Sequence, residues 1–89
     1  MSERKVVIAS AVGLHARPAS LFVQAATATS LAVTVGRIGE EAVDARSILA
    51  VMALGAKHGE EVVLAADGDG AEGALDSLVA LLERDLDAE

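Results

Sequence analysis

The chain has 89 residues, room for one domain and hardly for two, so residues 1–89 are read as a single unit. Just over half of it (53%) is apolar, nearly all small or aliphatic. Phe22 is the single aromatic, and the absence of cysteine excludes disulfides and thiolate metal sites. The net charge of −7 is uneven, with six basic against four acidic side chains in residues 1–59 and one against ten in residues 60–89. So acidic a chain, without a basic stripe or stacking aromatics, argues against nucleic-acid binding.

The β-branched run Lys5–Ile8 predicts a first strand. The four apolar residues Val6–Ala9 are too few for a secretory signal. The longest apolar run, Ile48–Leu54, falls well short of the roughly 18 residues of a membrane span. A cytoplasmic protein with no membrane insertion is therefore expected. Ala9–Leu14 reads as a loop. Ala19, Phe22, Val23 and Ala26 then fall at i, i+3, i+4 and i+7, the spacing of one buried helix face. Pro18 lies near the start of that helix, where a missing N–H costs little, which puts His15 at or beside the N-cap and Ala16 and Arg17 in the first turn.

Leu31–Val35 alternates and predicts a second strand, with Leu31, Val33 and Val35 on one face. Gly36–Gly39 reads as a hairpin connection to a short third strand near Glu41–Val43. Ser47 suits the N-cap of a short helix over Ile48–Leu54, with Gly55 as its left-handed terminator. Glu61–Ala66 is the fourth strand. Asp69 and Glu72 have capping-box spacing for a last helix whose stripe is Leu75, Leu78, Val79, Leu82 and Leu86. The order β-α-β-β-α-β-α implies an α+β open sandwich.

Several motifs carry no chemistry. Gly68–Gly73 is a literal G-x-G-x-x-G, but no strand follows its helix, and Asp67, Asp69 and Glu72 would repel a pyrophosphate. Asp67–Gly70 lacks the ligand spacing of a calcium loop. His15 and His58 are far apart, without ligand-spaced neighbours, so no metal is expected, and His58 reads as an ordinary exposed loop residue. A Ser–His–Asp hydrolase would need a cleft and an oxyanion cradle that a chain of this size scarcely encloses.

Gly13–Ser20 is different. The first-turn amides of Ala16 and Arg17 lack intrahelical acceptors and are expected to point toward the His15 imidazole. A helix N-terminus carries about half an elementary positive charge and accepts phosphate readily. The Arg17 guanidinium suits bidentate contact with phosphate oxygens. The result is an anion site with a nucleophilic ring nitrogen at its centre, which predicts a phosphohistidine at His15. The run around Ile48, Leu49 and Met52 is apolar nearly all round, and such a helix at a domain edge leaves a patch suited to protein docking. Ser20 and Gln24, one turn apart on the first helix, extend that surface. A rival reading makes the chain a pure interaction module in which His15 is simply a cap.

The segment Gly-Leu-His-Ala-Arg-Pro-Ala at residues 13–19 resembles the active-site motif of the HPr family, the histidine-containing phosphocarriers of the phosphoenolpyruvate-dependent sugar phosphotransferase system. Residues 45–55 resemble the family's regulatory-serine segment, and length and element order match over essentially the whole chain. The resemblance implies an open-faced β-sandwich, a four-stranded antiparallel sheet with three helices on one face. It implies phosphorylation of His15 on Nδ1 by enzyme I and onward transfer to sugar-specific enzyme IIA domains. Arg17 would bind phosphate, with the Ala16 and Arg17 amides assisting. The chain would be a cytoplasmic, monomeric carrier without a cofactor, not a stand-alone enzyme. In members that have an HPr serine kinase, the residue matching Ser47 is phosphorylated, which slows transfer and engages a transcriptional regulator. A nitrogen-branch carrier with a regulatory role is the alternative.

Overall fold

The computed structural model describes residues 2–84. Seven elements follow in the predicted order: β1 (Ser2–Val7), α1 (Ala16–Ala28), β2 (Thr34–Arg37), β3 (Val43–Asp44), α2 (Ile48–Ala53), β4 (Glu61–Ala66) and α3 (Ala71–Leu82). The strands form one antiparallel sheet in the order β1-β4-β2-β3. β4 thus lies between β1 and β2, pairing Ser2 with Ala66 and Val7 with Glu61 on one side, and Thr34 with Ala65 and Arg37 with Val62 on the other.

Alternation along the strands sends Val6, Val35, Val62, Leu64 and Ala66 to the face the helices cover. Ala19, Phe22 and Ala26 of α1 meet them there, as do Leu75, Leu78 and Leu82 of α3, all buried as their helical spacing predicts. Glu3, Lys5 and Val7 of β1 point to the other, open face and are exposed. α3 packs on β1 and β4, and α1 touches both α2 and α3. Arg4 ties β1 to α3 through Nε to Asp76 Oδ1 at 2.9 Å and Nη2 to Glu72 Oε1 at 3.5 Å.

Several boundaries differ from expectation, each for a local reason. β1 starts at Ser2 instead of Lys5, because pairing with Leu64–Ala66 recruits residues whose polar side chains hide the strand. β2 starts at Thr34 instead of Leu31. Ser30 takes φ +61°, the Leu31 N–H donates to Thr29 Oγ1 at 3.1 Å and the Val33 N–H to the Leu31 carbonyl at 3.1 Å, so tight turns use up residues 29–33. β2 then runs through Gly36 to Arg37, and the reversal sits at Ile38–Gly39. Gly36 serves close approach of the hairpin arms: a Cβ there would stand 2.9 Å from Ala42 Cα. β3 is accordingly Val43–Asp44, not Glu41–Val43. α2 stops at Ala53, with Leu54 as C-cap and Gly55 left-handed at φ +66°. The capping box fails to form: Gly70, at φ +82°, is the N-cap of α3, with no side-chain cap bond. Leu86 lies outside the described residues.

Candidate functional site

The loop into α1 is held at both ends by the turn before β4. The Ile8 N–H donates to the Glu60 carbonyl at 2.9 Å, Gly59 N–H to Ile8 at 2.9 Å, and Leu14 N–H to Ala56 at 2.9 Å. Gly13 makes the last contact possible, since at φ +73° a Cβ would stand 2.4 Å from the Ala56 oxygen. Glu60 braces the same turn: its Oε1 accepts the Lys57 N–H at 2.8 Å and its Oε2 takes Arg37 Nη2 at 2.6 Å. The Lys57 amide first, and the Arg37 charge after it, hold this carboxyl below its ordinary range against some desolvation.

Leu14 is buried and anchors the loop, so the next residue in extended backbone, His15, faces outward. His15 is the N-cap of α1 (φ −143°, ψ 155°), and its side chain makes no capping hydrogen bond. The ring is therefore not consumed by a structural role at the helix end. Ala16 follows at φ +49°, a left-handed conformation that costs an L-residue about 1–2 kcal/mol. A left-handed residue followed by a helical one turns successive amides to the same side, the geometry of an anion nest. Arg17 is exposed, and Pro18 and Ala19 are buried, fixing the first turn against the core. No acidic residue lies in that turn, so nothing there offsets the positive end of the helix dipole.

α2 packs against α1, the helix that His15 caps. Ser47 is its N-cap, with Oγ accepting the Ala50 N–H at 3.3 Å. Leu49 is 79% exposed and Ile48 37%, whereas Val51 is buried and Met52 packs partly on the core. The exposed apolar surface of α2 is thus mainly Leu49 and Ile48. Ser20, half-buried, accepts from Gln24 Nε2 at 3.2 Å, so these two stand together on one side of α1. Val12, 54% exposed three residues before His15, escaped the sequence reading because a lone loop valine has no periodicity to reveal it. His58 is exposed as expected, but its Nδ1 lies 3.2 Å from each of the Ala9 and Ser10 carbonyl oxygens. Among the described residues no group of three or more His, Asp or Glu side chains could hold a metal, and no helix is long and apolar enough to cross a membrane.

The family described as PTS HPr component phosphorylation site matches residues 2–84. Phosphocarrier protein HPr of Streptomyces coelicolor is 53% identical over 87 residues, covering 98% of this chain and 94% of the relative. Among solved structures, HPr-C-His from Thermoanaerobacter tengcongensis superposes with a TM-score of 0.91 at 42% identity, covering 100% of this chain and 99% of its own. A structure described as an HPr dimer from the same organism gives 0.71 at 43% identity, covering 93% and 94%. Fold, whole-length identity and the match over residues 2–84 converge: the chain belongs to the HPr family of phosphocarriers of the phosphotransferase system.

Proposed function

We propose that His15 is the residue that carries the phosphoryl group, received from phospho-enzyme I and passed to sugar-specific enzyme IIA domains. The observation that carries this reading is an exposed imidazole at the mouth of a 13-residue helix, uncommitted to capping and with no carboxylate in the first turn. The Nδ1 lone pair attacks phosphorus, the bond to the donor's leaving group breaks in line, and the phosphoryl oxygens come to rest over the helix N-terminus. Placing an anion there is worth about 0.3–1 kcal/mol at an exposed site, and up to about 2 when partly buried. The Ala16 and Arg17 amides and the Arg17 guanidinium receive those oxygens. The modest size of that term suits a carrier, whose adduct must form and then leave; the partner enzymes supply the rest of the catalysis.

Ile48 and Leu49 of α2, with Met52 at their margin, together with Ser20 and Gln24 of α1, form the docking surface shared by donor and acceptors. The carrier works as a cytoplasmic monomer and needs no cofactor. Ser47 serves first as the α2 cap. A phosphate on it would add roughly two negative charges beside Ile48 and Leu49 and weaken acidic partners, the route by which a serine kinase would regulate transfer.

Incubation with enzyme I and phosphoenolpyruvate labelled in its phosphate tests the reading. The wild type takes acid-labile, alkali-stable label and His15→Ala takes none; equal labelling of the two overturns it. Offering sugar-type and nitrogen-type IIA domains side by side identifies the branch, with faster discharge to the sugar type expected. Acid-stable label at Ser47 in the presence of a serine kinase and ATP would establish the regulatory arm.

A further inference from the structure

We propose that His58 is a positioning residue for phosphoryl exchange, acting on His15 through the Ser10–Gly13 turn; this rests on His15 being the carrier. His58 Nδ1 is 3.2 Å from the Ala9 carbonyl oxygen and 3.2 Å from that of Ser10. Carbonyl oxygens accept and never donate, so the hydrogen is on Nδ1, shared between the two. The Ser10 carbonyl also accepts the Gly13 N–H at 3.0 Å, and the Gly13 carbonyl accepts the His15 N–H at 3.0 Å. A line of hydrogen bonds thus runs from the His58 ring to the backbone of His15, although 43 positions separate them in the sequence.

The placement matters because of what the backbone already does. The Ile8–Glu60, Gly59–Ile8 and Leu14–Ala56 pairs fasten the two ends of the loop. His58 holds its middle, at the carbonyl that closes the turn just ahead of His15. Relaxing that hold lets the Ser10–Gly13 turn open and shifts the His15 ring relative to an incoming phosphorus. In-line transfer is sensitive to such a shift, since a misplacement of about 1 Å can cost roughly a hundredfold in rate. The docking surface on α2 is untouched, so capture of the partner is preserved while the chemical step slows.

His58→Leu and His58→Asn separate this from a plain surface role, because the Asn amide nitrogen occupies the place of Nδ1 and keeps the donor. With enzyme I and labelled phosphoenolpyruvate, His58→Leu is expected to lower kcat for this chain as acceptor by about tenfold with KM unchanged, and His58→Asn to restore most of it. Nitrogen-15 shifts of the neutral His58 ring are expected to place the hydrogen on Nδ1. Wild-type kcat in His58→Leu, an equal loss in His58→Asn, a change confined to KM, or a neutral ring protonated on Nε2 would each overturn the proposal. A wild-type chain that takes no label at His15 would instead defeat the carrier reading on which it rests.

Discussion

Replacing Gly13 by alanine probes how tightly the loop before His15 is held. At φ +73° a side chain costs about 1–2 kcal/mol in backbone strain. The new methyl would also stand 2.4 Å from the Ala56 oxygen and 2.8 Å from Lys57 Cα, both backbone atoms. Neither can swing aside as a side chain would, so residues 9–14 must part from residues 56–57, stretching the 2.9 Å bond from Leu14 to Ala56. Overpacking of this kind adds about 1–3 kcal/mol, for a loss of about 2–5 in all. Gly55 supplies the control: at φ +66° with nothing within 4 Å of its would-be Cβ, Gly55→Ala carries the conformational cost alone. Both variants gain equally from the stiffer unfolded chain, so the difference isolates the clash. Urea unfolding measures it. Gly13→Ala should fall below Gly55→Ala by about 1–3 kcal/mol; equal stabilities would refute the close approach and the account of what fixes the loop.

Ala16→Gly should reverse the usual sign of a helical alanine-to-glycine change. A loss of about 0.5–1 kcal/mol is ordinary inside a helix, whereas relief of the left-handed strain at φ +49° should leave stability unchanged or raised by up to about 1 kcal/mol, read by thermal unfolding. Phe22→Ala removes the one aromatic side chain, fully buried among small aliphatics, and should cost about 3–5 kcal/mol of stability, measured by urea unfolding. Glu60 gives a pH signature. Its folded pKa lies below the unfolded one, so its contribution is complete above the ordinary carboxylate range and is lost as pH falls through the folded value. The stability gap between wild type and Glu60→Gln, followed by urea unfolding across pH, should be widest near neutrality and close in acid.

How much of this was legible in the sequence depended on whether the signal was local. Helices read well: Ala19, Phe22 and Ala26 of one stripe and Leu75, Leu78 and Leu82 of the other are buried as their spacing demands. Val23 and Val79, read into the same stripes, lie at their edges and are only partly buried, and Ser47 caps α2 with its own hydroxyl. Strand ends read poorly, since pairing sets them. Ser2–Arg4 become a strand because Leu64–Ala66 are there to meet them, and Leu31 is lost to turns closed by Thr29. The exposure of His15 is seen only in the folded chain, whereas its placement at the N-cap followed from Pro18. The left-handed Ala16 did not, because a non-glycine at positive φ is imposed by surroundings and carries no compositional mark. Nor did the reach of His58 to Ala9 and Ser10, a contact across 48 or 49 positions that only the folded chain brings about.

The most direct test of the central claim is NMR of the protein after charging with enzyme I and phosphoenolpyruvate, with phosphorus-31 and ring nitrogen-15 detection alongside the backbone amides. The phosphoryl group should appear on Nδ1 of His15, and the largest amide shifts should fall at Ala16 and Arg17, the groups at the mouth of α1. A phosphoryl group on any other residue, or one on His15 that leaves those two amides where they were, would contradict the account.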